Sequence, residues 1–209
     1  MFPLGVLKKK STWQTVLDLP FNADFLDTTG RHSVVSASNV SLTGGEVVGN
    51  SFANLRYGGN LSDFSFVGDL ILEGRFKLPS VLTGKYLMTC PRADDNWDGL
   101  CFSVYLTSES TPRLVFYFGP LVGSIAIPTS TYLPIANTYV TLRLEKVNNR
   151  IAVFLNGNNA EGQQVGSITS TAVTNLNLGT NKLFQLFGDT TIHTNDGTCD
   201  FVRMQRKVG

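Results

Sequence analysis

From Leu70 to the end of the chain, apolar side chains recur at every second position in short runs, and no window holds a 3.6-residue apolar period for three turns. Successive side chains of a strand point to opposite faces, so this alternation is the pattern of half-buried antiparallel strands, and any helix must be short. Leu70, Leu72 and Phe76 share one face, against Glu73 and Arg75 on the other. Phe102, Val104 and Leu106 form a second inward set, Leu114, Phe116 and Phe118 a third. Val140, Leu142 and Leu144 form a fourth, with Thr141, Arg143 and Glu145 outward. The polar stretch from Lys146 to Arg150 reads as a turn, after which Ile151, Val153 and Leu155 resume the apolar face, which predicts a β-hairpin. Phe76, Phe116, Phe118 and Phe154 are read as core. Shorter candidates bounded by Gly, Pro, Asn or Asp are Glu46 to Gly49, Phe52 to Tyr57, Tyr86 to Cys90, Gly123 to Ile127, Leu183 to Gly188 and Cys199 to Met204.

About a dozen short strands without helical interruption predict an all-β sandwich or barrel. The 209 residues suffice for one such domain, and no Pro/Ser-rich linker divides them. The expected division is an N-terminal arm, residues 1–12, and a single domain over 13–209, with Trp13 anchoring the arm to the domain edge or to a partner. Charged residues are 16% of the chain, with 20 glycines, and Ser, Thr and Asn take up the difference, which again suits strands and turns.

The net charge of +1 leaves no global field to attract nucleic acid or an anionic membrane, and Lys8, Lys9 and Lys10 read as a solvated arm. The apolar run before them is too short for a membrane span or an export signal. Cys90, Cys101 and Cys199 have no metal-ligand spacing. Free thiols are expected, a Cys90–Cys101 pair being the alternative in an oxidising compartment.

Four stretches, in order, resemble the concanavalin A-like lectin/glucanase superfamily in its laminin G-like form. LDLPFNADFLDTTGRHSVV, 17–35, is similar to the opening strand and its acidic turn, and FSFVGDLILEGRFKLP, 64–79, to the most recognisable strand. TYLPIANTYVTLRLEKVNNRIAVFLNGN, 131–158, resembles the central hairpin, with Thr138-Tyr139-Val140 where the family often has a Trp-His pair. GTCDFVRMQR, 197–206, resembles the closing strand. The resemblance implies a two-sheet antiparallel β-sandwich, a jelly roll, in a superfamily that holds lectins, glycan-binding modules, glycosidases and structural domains, so the fold leaves function open.

A glycosidase on this fold needs two carboxylates about 5–5.5 Å apart for retention. Glu46, Glu73, Glu109, Glu145 and Glu161 each stand alone in their segments, and His32, in a turn, and His193, in a polar loop, lie beside no nucleophile-elbow pattern. The chain is therefore expected not to be an enzyme. One local motif carries chemistry. Asp94, Asn96 and Asp98 alternate so that their oxygens could converge on Ca2+, Gly99 permits the turn, and the Leu100 carbonyl supplies the next ligand. Tyr105 stands where a full loop has its bidentate Glu, so two readings remain: a calcium half-loop or a polar hairpin turn. Trp97 in that loop could stack on a sugar ring while Asp95 and Asn96 bond its hydroxyls; the alternative is that it folds back over the sheet or contacts another subunit.

The resemblance extends to the surface proteins of tailed-phage particles. It implies a non-enzymatic virion protein (tail, fibre or capsid decoration), assembled in the host cytoplasm as a homo-oligomer, held to other virion proteins by the arm and contacting host glycans. The alternatives are a calcium-assisted cellular carbohydrate-binding module, secreted or at the cell surface, and more remotely a glycoside hydrolase.

Overall fold

A computed structural model describes residues 12–77, 85–91, 101–107, 113–128, 138–156, 163–188 and 197–208, the side chains of 51, 85, 156 and 163 excepted. The strands are β1 (Thr12–Leu19), β2 (His32–Thr43), β3 (Glu46–Gly59), β4 (Leu70–Lys77), β5 (Lys85–Cys90), β6 (Phe102–Leu106) and β7 (Arg113–Phe118). They continue with β8 (Ser124–Pro128), β9 (Tyr139–Val147), β10 (Arg150–Asn156), β11 (Gln163–Thr169), β12 (Phe184–Leu186) and β13 (Gly197–Val208). Helix among the described residues is limited to a 3-10 turn at Leu61–Ser65 and one turn, α1 (Thr171–Thr174).

Pairing is antiparallel throughout and runs β11-β10-β9-β4-β13-β3-β12-β5-β6-β7-β8, with β1 added to β13 and β2 to β3. The ribbon folds at β13 and β3. Gly197–Cys199 pair with Gly49–Val47, a bulge follows Cys199, and from Phe201 onward β13 lies between β4 and β1. β3 makes the complementary move, passing from β13 at Val47–Gly49 to β12 at Leu55–Tyr57. The result is a two-sheet antiparallel sandwich of jelly-roll type. The first sheet is β11-β10-β9-β4-β13-β1 and the second is β2-β3-β12-β5-β6-β7-β8. Their far ends meet where Gly166 of β11 faces Ile125 of β8 so closely that a Cβ would lie 2.4 Å from Ile125 Cγ2.

The inward sets read from the alternation are buried as expected in β4, β6, β7, β9 and β10. Between the sheets, Phe66 packs on Phe102 at 4.7 Å, Phe102 on Phe118 at 5.8 Å and Phe64 on Phe184 at 5.8 Å. Each fully buried ring contributes about 1.5–3 kcal/mol. Phe21, Phe66 and Phe187 hold positive φ angles of 52°, 61° and 55°. Left-handed backbone costs about 1–2 kcal/mol for such a residue, which the burial of these three rings offsets.

Several expectations are corrected. The hairpin turn is only Asn148–Asn149, with Asn148 at φ 54°, while Lys146 belongs to β9. The same two-residue period that buries Leu142 and Leu144 turns Lys146 inward, where its Nζ donates to the Gly68 carbonyl at 2.7 Å and burial pushes its pKa down. His32 opens β2 and is buried, not placed in a turn. Phe154 is half-buried on the outer face, because Ile151, Val153 and Leu155 take the inner one. Glu46–Gly49 and Phe52–Tyr57 are one strand interrupted by a bulge. Trp13 lies within β1 opposite Lys207 and remains 41% exposed. Residues 1–11 of the arm lie outside the described residues.

Candidate functional site

The inner residues of the second sheet are apolar, so the other side chains of those strands face outward. Directly opposed pairs define one row across seven strands: Ser36 with Arg56, Arg56 with Gln185, Gln185 with Thr89, Thr89 with Ser103, Ser103 with Tyr117 and Tyr117 with Ser124. Every member can hydrogen-bond, and Arg56 is its sole formal charge. Although they face away from the core, Gln185, Thr89 and Ser103 are only 0%, 3% and 4% exposed.

Buried polar groups demand partners, and Gln185 has a full set. Its Nε2 donates to the Phe187 and Gly188 carbonyls at 3.2 and 2.9 Å, and its Oε1 accepts from Arg56 Nε at 2.9 Å. The amide thus fixes the guanidinium on the sheet. Beside Arg56, the Asn54 Oδ1 accepts from Ser36 Oγ at 3.1 Å. Two pairs further along the strands, Tyr86 and Tyr105 stack with centroids 5.0 Å apart and planes 22° from parallel. Burial raises the Tyr117 phenol's pKa, with smaller contributions from Cys101 and Tyr105. The buried Gln185, Thr89 and Ser103 form the floor of the row, and the members that reach solvent are Ser36, Arg56, Tyr117 and Ser124 with the half-buried Tyr86–Tyr105 pair. A guanidinium, hydroxyls and aromatic rings so placed form a chemistry that receives neutral polyhydroxylated ligands: hydroxyls bond to the polar groups and C–H faces rest on the rings.

The outer face of the first sheet differs. Arg75 pairs with Asp200 at 2.7 Å, Arg143 with Glu145 at 2.7 Å, Arg203 with Asp18 at 2.9 Å and Lys207 with Asp69 at 3.3 Å. Near one end of this face, Tyr139 donates from its hydroxyl to Glu46 while the Arg75 guanidinium lies 4.5 Å above its ring. Burial and the Glu46 hydrogen bond push the phenol up to about 12. A shallow cavity of about 300 Å³ lies along the hairpin, lined by Glu145, Val147, Asn148, Asn149, Arg150 and Ala152.

A third polar cluster is architectural. Asp27 accepts from the backbone N–H groups of Asp18, Thr29 and His32, fixing the turn between β1 and β2. Asp63 receives Arg31 Nε and Nη2 at 2.9 and 3.0 Å. His32 Nε2 is 3.3 Å from Asp63 Oδ2 but not in hydrogen-bonding geometry, and its ring packs on Phe64 at 4.6 Å.

Asp94, Asp95, Asn96, Trp97, Asp98 and Leu100, the sequence-predicted calcium and sugar residues, lie outside the described residues, as do Glu109, Glu161 and His193. Among the described residues, no group of three or more His, Cys, Asp or Glu forms a metal site, and no helix is long and apolar enough to cross a membrane. The remaining glutamates occupy three strands: Glu46 at Tyr139 on β9, Glu73 on β4 and Glu145 on β9 beside Arg143. All three cysteines are buried, and none is in a disulfide. Cys90 opposes Phe102 and belongs to the core, and Cys101 Sγ lies 3.7 Å from Ser103 Oγ.

The row from Ser36 to Ser124 was missed because each strand contributes one residue. A faint signal existed: the outward positions of Thr89, Ser103 and Tyr117 carry no charge, whereas those at Glu73, Arg75, Arg143 and Glu145 do.

No family model and no curated protein matches the sequence. Solved structures do match. Domain 4 of a GH43 extracellular arabinanase from Geobacillus stearothermophilus, in complex with arabinotriose, matches with a TM-score of 0.65 and 15% identity over 93% of this chain and 93% of its own. A structure of botulinum neurotoxin type C, whose cell uptake is described as dependent upon interaction with two ganglioside molecules, gives a TM-score of 0.65 and 14% identity over 93% of this chain and 48% of that chain. The binding domain of botulinum neurotoxin DC in complex with rat synaptotagmin II gives 0.65 and 12% identity over 93% and 49%. This chain spans about half the length of those toxin chains. The likeness fixes the fold class as an all-β, lectin-like jelly-roll sandwich.

Proposed function

We propose that this chain is a non-enzymatic glycan-binding domain whose site is the outer face of its second sheet, carried on a tailed-phage particle as a tail, fibre or capsid-decoration component. The observation that carries the binding reading is the half-buried Arg56, held by the buried Gln185, in one otherwise uncharged row with Tyr117 and with the stacked Tyr86–Tyr105 pair beside it. The arabinotriose complex of the arabinanase domain supports the same reading. The virion placement rests on the resemblance of the sequence to phage surface proteins. It implies assembly in the host cytoplasm, symmetric copies and attachment through residues ahead of β1. A calcium-assisted carbohydrate-binding module, secreted or at the cell surface, is the second reading, favoured by the full-length match to the arabinanase domain.

The deciding experiment is binding of the purified protein to a panel of bacterial envelope polysaccharides and arabinan fragments, with calcium and with chelator. Saturable binding lost in Arg56→Ala places the site on the second sheet. Loss in Trp97→Ala instead moves it to the loop of residues 94–100, and no binding to any of them overturns the proposal. Calcium should raise the Tm of wild type but not of Asp98→Ala if that loop holds the ion. Reducing ends should not be released from any of these polysaccharides. Removal of residues 1–11, short of β1, should abolish incorporation into particles and leave the Tm unchanged.

A further inference from the structure

We infer that Phe52, exposed at the bulge between β2 and β3, is a sugar-stacking ring, an inference that rests on the glycan-binding reading above and adds a residue to it. Four described phenylalanines hold left-handed backbone, Phe21, Phe52, Phe66 and Phe187. Three have their rings in the core, at 1%, 0% and 1% exposure, and that burial accounts for their tolerance of the conformation. Phe52, at φ 61°, is 59% exposed, so its strain is not offset by burial. A strained bulky residue that gives its side chain to solvent is the kind of outlier that marks a binding position.

The surrounding backbone holds the ring there. Pairing of β2 with β3 jumps from Ser38 opposite Asn54 to Val40 opposite Gly49, so Asn39, itself at φ 53°, faces the four residues 50–53. Bulges of this type re-aim side chains beside sites. The bulge is folded tightly on itself, since a Cβ at Gly49 would stand 2.9 Å from Ala53 Cβ and 3.1 Å from the Phe187 ring. Phe187 is also the residue whose carbonyl receives Gln185 Nε2, and Gln185 in turn holds Arg56. The strained segment therefore packs on the strand end that organises the polar row. Asn54 and Arg56 follow at alternate positions on the same strand, with Ser36 bonded to Asn54. Phenylalanine offers a ring and no hydrogen bond, so the matching ligand surface is the C–H face of a saccharide ring. Its hydroxyls would then reach Asn54, Ser36 and Arg56.

The test compares wild type, Phe52→Gly, Phe52→Trp and Arg56→Ala for binding to arabinotriose and the immobilised envelope polysaccharides, with Tm and oligomeric state measured in parallel. Glycine suits the left-handed backbone, so Phe52→Gly is expected to raise the Tm while weakening binding at least about tenfold. Phe52→Trp keeps a ring and is expected to retain binding. If wild type binds, Arg56→Ala fails to bind and Phe52→Gly binds as wild type, this inference falls and the proposed function stands. If wild type binds no probe, both fall. A change of oligomeric state in Phe52→Gly with binding unchanged would make the ring a contact between copies and overturn the inference. Loss of binding in Phe52→Trp as well as in Phe52→Gly would also overturn it, because the bulge and not the ring would then be what binding requires.

Discussion

The two outer faces of the sandwich are built on one backbone plan and filled with opposite chemistry. On the first sheet, four ion pairs, Arg75–Asp200, Arg143–Glu145, Arg203–Asp18 and Lys207–Asp69, satisfy their charges between neighbours. Exposed pairs of this kind are worth little to stability, are screened by salt and keep a surface hydrated. On the second sheet the corresponding positions hold Gln185, Thr89, Ser103 and Tyr117, three of them almost wholly withdrawn from water. Neutral groups can be desolvated at modest cost when bonded, whereas charges cannot. The difference separates a face of solvated ion pairs from one in which Arg56, Tyr117 and the Tyr86–Tyr105 pair are presented above a buried, neutral, hydrogen-bonded row.

That contrast can be broken most forcefully at Gln185. Gln185→Leu leaves the Phe187 and Gly188 carbonyls without their donor and releases Arg56, and a loss of about 2–3 kcal/mol is expected in denaturant unfolding. A smaller effect appears at alkaline pH on the first sheet. The fold favours the neutral Tyr139 phenol, so this contribution is whole below the ordinary value of 10.0 and disappears as the pH climbs to about 12. Melting curves from pH 9 to 12 should fall less steeply for Tyr139→Phe than for wild type. Arg143→Ala, which breaks an exposed pair, should cost no more than about 0.5 kcal/mol. The smallest expected effect sharpens the comparison: raising NaCl from 0.1 to about 0.5 M should leave glycan affinity nearly unchanged, because neutral hydrogen bonds are not screened. A steep salt dependence would assign recognition to the charged face instead.

Much of the fold was legible because β4 and β9 each have one wetter and one dry side, which is the condition that writes a two-residue period into a sequence. β2 was not legible: only His32 among its residues is buried, and the apolar alternation is confined to Val40 and Leu42 at its end, after a largely exposed run rich in Ser and Val. β11, with Gly166 pressed against Ile125, gave no apolar pattern for a related reason. The bulge at residues 50–53 broke β3 into two apparent strands by disturbing the period. Lys146 was misread because its charge suggested a turn, although its position in the alternation pointed inward. The polar face escaped for a deeper reason. Arg56 and its partner Gln185 are 129 residues apart, so the site exists only once the sheet has registered, whereas the Asp94–Asp98 motif could be noticed because it is local.

The position of β13 has a consequence for how the chain acquires its structure. Gly197–Val208 pairs with β1, β3 and β4, so a segment made late forms the spine of the first sheet and the hinge to the second. Thr12 pairs with Val208, which closes a loop of nearly the whole described chain. A growing polypeptide emerging from the ribosome therefore carries β1 and one edge of β4 without their partner until β13 follows, and topologies of such high contact order fold slowly. Unpaired edges during that interval invite association between nascent chains, so concentration and chaperone supply during synthesis should limit the yield of this domain before its final stability does.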